Sequence, residues 1–171
     1  PVEYQNHIFD QLMEAGKEFG LKPYGIRAMN SLRVEKSYKL VGTELSIEYS
    51  PYESGLDRFV HPNKGDFIGR AALDKWRAKG FSNKLVTMEI HGVTDADVLG
   101  NNPIYDNGSV VGRATSGDFG FRLNKSIALG MVKPEFAEVG QKLKIDILGK
   151  MHEASIVEES PYDSENKLIR A

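Results

Sequence analysis

The hydrophobic period of this chain changes at Gly80, and that change most limits the folds open to it. Beyond Gly80, Val86, Met88 and Ile90 alternate with Thr87, Glu89 and His91, the pattern of a strand with one wet face. The segment PIYDNGSVVG sets Asp106-Asn107-Gly108 between two β-prone runs and predicts a hairpin. Ile127, Leu129 and Met131 predict a further strand; Leu143, Ile145 and Ile147 predict the next, and Gly149 turns the chain into MHEASIVEE. Short strands at this spacing, with no helix between them, predict an antiparallel barrel or sandwich.

Before Gly80 the period is helical. Ile8, Leu12, Ala15 and Phe19 are spaced by four, three and four, and Gly20 followed by Pro23 supplies a stop, so a helix packed on another element is expected over 3–19. A second helix is expected from about Gly25 to Ser37 and a third from about Gly69 to Lys79, with Ala72, Leu73 and Trp76 as its buried stripe. Between these, YSPYESGLDRFVHPNKGDF is rich in turn formers and reads as a long ordered connection. The tail SPYDSENKLIRA is polar and reads as a closing segment. The second helix carries an anomaly. On a helical projection Ile26, Ala28, Met29 and Leu32 share one arc, and Arg33 falls inside it. A guanidinium facing inward needs a carboxylate from another segment or a ligand. Glu35 projects towards the other edge of the arc and is not its natural partner.

Composition narrows the chemistry. Of 171 residues 40% are hydrophobic, enough to bury a core, and 22 Lys and Arg against 24 Asp and Glu leave no global field for nucleic acid or an anionic membrane. Cysteine is absent, which excludes disulfides, thiolate catalysis and cysteine metal sites. No signal peptide or membrane-length apolar run is visible, so cytoplasm or an organelle matrix is expected. P-loop, dinucleotide, nucleophile-elbow and His-Glu-x-x-His signatures are missing. His7, His61, His91 and His152 fall on four separate expected elements without ligand spacing, so no metal site is expected. Two stretches remain as candidates. RATSGDFG, residues 113–120, is a glycine-punctuated loop able to offer backbone amides to a ligand. SPYESGL places Tyr52 and Glu53 in a rigid turn between Pro51 and Gly55, where Glu53 meets either a cation or a ligand.

GIRAMNSLRVEKSYKLVGTELSIEYSPYESGLDRFV followed by DFIGRAAL resembles the glycine cleavage T-protein (aminomethyltransferase) superfamily, and most closely the folate-binding module at the C-terminal end of dimethylglycine and sarcosine dehydrogenases. YDNGSVVGRATSG, SIALGMVKPEFAEVGQKLKIDILGK and SPYDSENKLIRA continue the likeness in the same order. The resemblance implies an α+β fold: residues 1–81 would be the C-terminal portion of the folate-binding domain, helices on a sheet, and residues 82–171 the C-terminal β-barrel. It implies tetrahydrofolate as cofactor, a methylated-amine-derived substrate as partner, and FAD, if any, on a separate domain outside these residues.

The family's catalytic aspartate and pterin-binding glutamate would lie upstream of Pro1, so the resemblance implies a fragment, without a catalytic residue of its own, that binds folate at most weakly and is not competent alone. Arg33 and Glu35 match the arginine and glutamate of the family's Arg-Leu-Glu motif. Tyr52, Glu53, Tyr162, Asp163 and Arg170 are the further cofactor-binding candidates. Met29 and Asn30 stand where T-proteins carry Arg-Asp, and Ser37 where glycine is common, which favours the dehydrogenase-fused branch. The function implied is tetrahydrofolate-dependent one-carbon transfer. A T-protein-like aminomethyltransferase or a demethylase of another methylated compound is the alternative enzyme, and a non-catalytic scaffold on the same fold is the alternative of another class.

Overall fold

The computed structural model describes residues 1–93 and 95–170. Its helices are α1 (Gln5–Gly16), α2 (Ile26–Glu35) and α3 (Arg70–Lys79), and its strands are β1 (Lys84–Ile90), β2 (Pro103–Asp106), β3 (Ser109–Gly120), β4 (Lys125–Val132), β5 (Lys142–Ile147) and β6 (Lys150–Val157). The strands close into an antiparallel barrel in the order β1-β4-β3-β2-β5-β6, with β6 returning to β1. Of the two all-β outcomes the alternation allowed, the molecule takes the closed one. The β2–β3 hairpin turns at Asn107 and Gly108, both with positive φ (45° and 81°). That is the geometry an Asn-Gly pair favours, because it matches the twist of the flanking strands.

The barrel interior holds Val86, Met88, Ile90, Ile104, Leu143 and Ile145 among others, with Val98 from the loop after β1 also in this cluster. Strand β4 is buried along both faces beyond its first residue. Ile127, Leu129 and Met131, the residues that announce this strand in the sequence, lie outside the interior cluster although each is no more than 1% exposed. They stand opposite Glu89, Thr87 and Leu85 of β1, on the barrel's outer face. Residues from the first half of the chain cover that face. The expected wet face of β1 is therefore partly dry: Thr87 is buried and shares a 2.7 Å hydrogen bond with the hydroxyl of Ser37.

Three expectations need correction. RATSGDFG is not a loop but the main part of β3, with a register shift between Ala114 and Ser116. The arc of α2 formed by Ile26, Ala28, Met29 and Leu32 faces outward, while Ser31, Arg33, Val34 and Glu35 are buried. Helix α1 buries no residue, and Ile8, Leu12 and Phe19 are exposed; Ala72 of α3 is exposed, with only Leu73 and Trp76 half-buried. An amphipathic stripe shows a capacity for burial, but another surface must supply the partner.

Because Met88 is completely enclosed in the barrel, Met88→Ala is expected to lower stability by about 2–5 kcal/mol, read as a shift of the urea midpoint. An unchanged midpoint would contradict this description of the interior.

Candidate functional site

Strand β3 sets up the junction between the two halves. It pairs with β2 over Ser109–Arg113 and with β4 over Gly112–Gly120; Ala114 exchanges backbone hydrogen bonds with Asn101 and Asn102, and beyond it no strand flanks the edge away from β4. An open edge presents unpaired backbone groups. Helix α2 supplies donors to it: Asn30 Nδ2 donates to the carbonyl of Gly117 (3.1 Å) and Ser31 Oγ to that of Phe119 (2.6 Å). Asn30 Nδ2 also donates to the buried Asp118 carboxylate (2.7 Å), and its Oδ1 accepts from Arg33 Nε (2.8 Å).

Arg33 is buried and meets a carboxylate from another segment. Its Nη1 lies 3.4 Å from Glu44 Oε2 and donates to the carbonyl of Tyr38 (3.2 Å). Glu44, fully enclosed, accepts from the Leu40 amide (2.9 Å), from Thr43 Oγ1 (2.7 Å) and, on its other oxygen, from Ser116 Oγ (2.5 Å). Burial pulls the guanidinium below its ordinary value, against the opposing pull of Glu44 and Asp118. Burial alone would raise the Glu44 carboxyl, but the hydrogen bonds it accepts, led by that from the Leu40 amide, outweigh it and hold the group below the usual carboxylate range.

Glu35 serves a different purpose. Its Oε1 accepts the amides of Arg122 (2.7 Å) and Leu123 (3.2 Å), fastening the β3–β4 turn, while Oε2 is buried without a partner among the described residues. Gly120 leaves room for this, since a Cβ there would lie 2.8 Å from Glu35 Cγ. The carbonyl of Glu35 accepts the amide of Tyr162 (3.0 Å), and the Arg122 guanidinium sits 4.8 Å from the Tyr162 ring centre. Asp163 accepts the amides of Lys167 and Leu168 and thereby folds the tail on itself. Arg170 is exposed.

Tyr52 and Glu53 stand apart from these groups. Tyr52 packs against Phe81, with ring centres 5.4 Å apart. Glu53 Oε2 accepts the Ser50 amide (3.0 Å) and hydroxyl (2.9 Å), and Oε1 accepts the amides of Ser82 (3.2 Å) and Asn83 (3.1 Å). Its backbone carbonyl accepts the amide of Leu85, so this one residue ties the long connection to the entry of β1. Sequence reasoning missed Glu44 and Asp118. Asp118 lay within a stretch already singled out, whereas Glu44 sits in VGTELS, where nothing in the local pattern marks it.

Residues 83–163 match the glycine cleavage T-protein C-terminal barrel domain, and residues 1–64 match the GCVT N-terminal domain. The chain belongs to the glycine cleavage T-protein (aminomethyltransferase) superfamily. It is 40% identical over 153 residues to human mitochondrial dimethylglycine dehydrogenase, covering 89% of this chain and 18% of that protein. It is 36% identical over 157 residues to an aminomethyltransferase of Desulfitobacterium hafniense, covering 92% of this chain and 42% of the relative. The chain thus spans less than half the length of these curated relatives. The crystal structure of the glycine cleavage system aminomethyltransferase T from Bartonella henselae superposes with a TM-score of 0.82 over 96% of this chain and 45% of that one, at 22% identity. The α+β architecture with a C-terminal barrel is the superfamily's own.

Arg33→Ala is expected to destabilise the protein by about 3–5 kcal/mol, because it strands Glu44 as a buried, unpaired charge. Arg33→Ala combined with Glu44→Ala should lose less than the sum of the two single changes in a double-mutant cycle; strict additivity would show that the pair is not coupled. A carboxylate held below its unfolded value contributes stability that is complete above the ordinary carboxylate range and is lost as pH falls through the folded value. The melting temperature should therefore fall on acidification below about pH 4.3, and Glu44→Gln should flatten that fall. An unaltered acid profile in Glu44→Gln would remove Glu44 from the account.

Proposed function

We propose that this chain is part of a tetrahydrofolate-dependent one-carbon transfer module of dimethylglycine or sarcosine dehydrogenase type. The observation that carries the reading is the 40% identity to a dimethylglycine dehydrogenase across nearly the whole chain. Met29 and Asn30 support it, since Asn30 is not an idle replacement: it joins Arg33, Asp118 and the β3 edge. The bacterial aminomethyltransferase relatives support a second reading, a T-protein-like transferase, which differs in the donor of the carbon unit.

Tetrahydrofolate, when bound, would supply the nitrogen that captures the carbon unit. Arg33 Nε and Nη1 and both carboxylate oxygens of Glu53 are engaged within the protein, Glu35 fastens a turn with one oxygen, and these three candidates bond to separate segments. They do not fit a cofactor cradle by themselves, and no chemical step is assigned to them. In this reading Arg33, Glu35 and Glu53 shape the domain and its junction with the barrel. Tyr162 and Arg170 are the tail groups proposed to face the cofactor, with Asp163 and Tyr52 in support. Any flavin would sit on a domain outside these residues. Cytoplasm or a mitochondrial matrix is the proposed location; among the described residues no helix is long and apolar enough to cross a membrane.

Calorimetric titration of tetrahydrofolate into the protein that carries this chain is expected to give saturable binding. Supplying dimethylglycine or sarcosine with an electron acceptor should then yield 5,10-methylenetetrahydrofolate. Absence of binding at high micromolar cofactor would overturn the folate reading. Turnover only with an aminomethylated lipoyl donor would instead establish the T-protein-like alternative.

A further inference from the structure

Helix α3 carries charge that the fold does not use. None of its residues is buried, and Leu73 and Trp76 are its half-buried apolar side chains. The segment around it, 64–84, holds six cations (Lys64, Arg70, Lys75, Arg77, Lys79 and Lys84) against two carboxylates (Asp66 and Asp74), a net charge of +4. The whole chain carries −2, so the remaining residues carry −6 and the molecule is electrically lopsided.

Local structure does not account for these charges. Arg77 and Lys79 lie in the last turn of α3, where cations complement the helix dipole, but Arg70 lies in the first turn, the unfavourable end, and its carboxylate partner is Asp74 at 3.9 Å. Lys75 and Lys79 are spaced by four, so two like charges share one flank, a placement that costs an isolated helix stability. Lys64, Lys75, Arg77, Lys79 and Lys84 are exposed and have no ion pair among the described residues. Two of them lie instead over aromatic rings: Lys64 is 4.6 Å from the Phe67 ring centre and Arg77 5.7 Å from that of Tyr52, which also packs on Phe81. Hydrogen bonds hold the segment to itself and to the preceding connection, since Arg70 Nη1 donates to the Gly65 carbonyl (2.9 Å) and the amides of Ser82 and Asn83 donate to Glu53.

We propose that this cationic segment docks an acidic stretch of a partner protein. Other polyanions fit it less well. A nucleic acid strand needs free ring faces to stack on, and here Phe67 and Tyr52 are covered by the cations themselves. An anionic lipid surface needs an outward apolar face, whereas Leu73 and Trp76 are half-buried and Ile68 stands alone as the fully exposed aliphatic side chain of the segment. A carboxylate-rich peptide uses what is present: ammonium and guanidinium groups for its acidic side chains, and Ile68 as a single apolar contact. The assignment does not rest on the one-carbon reading, because none of these cations is among its cofactor candidates.

A fluorescein-labelled oligoglutamate peptide serves as probe, titrated with the 171-residue protein at low salt and followed by anisotropy. Binding should saturate, weaken as salt is raised, and fall at least about tenfold when Lys75→Glu is combined with Lys79→Glu. Lys142→Glu combined with Lys150→Glu makes the same change of net charge at exposed cations of the barrel and should leave affinity within about twofold. Lys64→Glu, outside the helix, should weaken binding about threefold and keeps the test open if the α3 double variant does not fold. Equal losses from the two double variants would show attraction to net charge alone and overturn the proposal. So would the lack of saturable binding, or tighter binding of oligothymidylate or of phosphatidylserine vesicles than of the peptide.

Discussion

The open edge of β3 is the constraint on which the junction depends. A strand that pairs on one side only must have its other row of backbone groups satisfied, and here a helix does this with side chains where a strand would use its backbone. Asn30 and Ser31 meet the carbonyls of Gly117 and Phe119 at two alternate positions along β3. Once those contacts are made, the face of α2 turned towards the barrel is set, and Arg33, Val34 and Glu35 are carried into the interior with it.

The remaining polar interior follows from that placement. Arg33 requires an anion, and the segment after α2 folds back to bring Glu44, which in turn needs the Leu40 amide and the hydroxyls of Thr43 and Ser116 to be tolerable without water. Glu35 reaches the far turn of β3, while its backbone receives the tail through Tyr162. Desolvating these charges is costly, and an apolar junction of similar shape could be as stable. What a hydrogen-bonded junction adds is a register: Asn30, Ser31 and Glu44 each meet a partner at one position along β3, so sliding of the helix would leave buried groups unpaired.

This junction bears on function through position. The cofactor-binding candidates in this chain are mostly engaged in intramolecular contacts, and under the proposed one-carbon reading their part is to hold two parts of the molecule in a defined relation. The chain is nearly neutral overall, yet Lys36, Lys39 and Arg58 gather between α2 and the tail, where Glu159 pairs with Lys39 and Lys36 donates to the Asp163 carbonyl and to Asn166.

Much of the fold was determined by the sequence itself. The alternating runs after Gly80, the Asn107-Gly108 turn and the turn at Gly149 establish the strands and hairpins, because strand periodicity and left-handed turn geometry are local properties. A need for a partner at Arg33 was also legible, although the apolar arc from which its inward position was inferred faces out. Its partner was not: Glu44 is defined by a distant contact and carries no local mark. Tertiary structure alone decided that RATSGDFG is a strand, since its pairing with β4 is long-range, and that the apolar arc of α2 faces out while its polar residues face in. Hydrophobic periodicity locates the stripe that could be buried, but here an unpaired strand edge, with its unmet carbonyls, selected the other side of the helix.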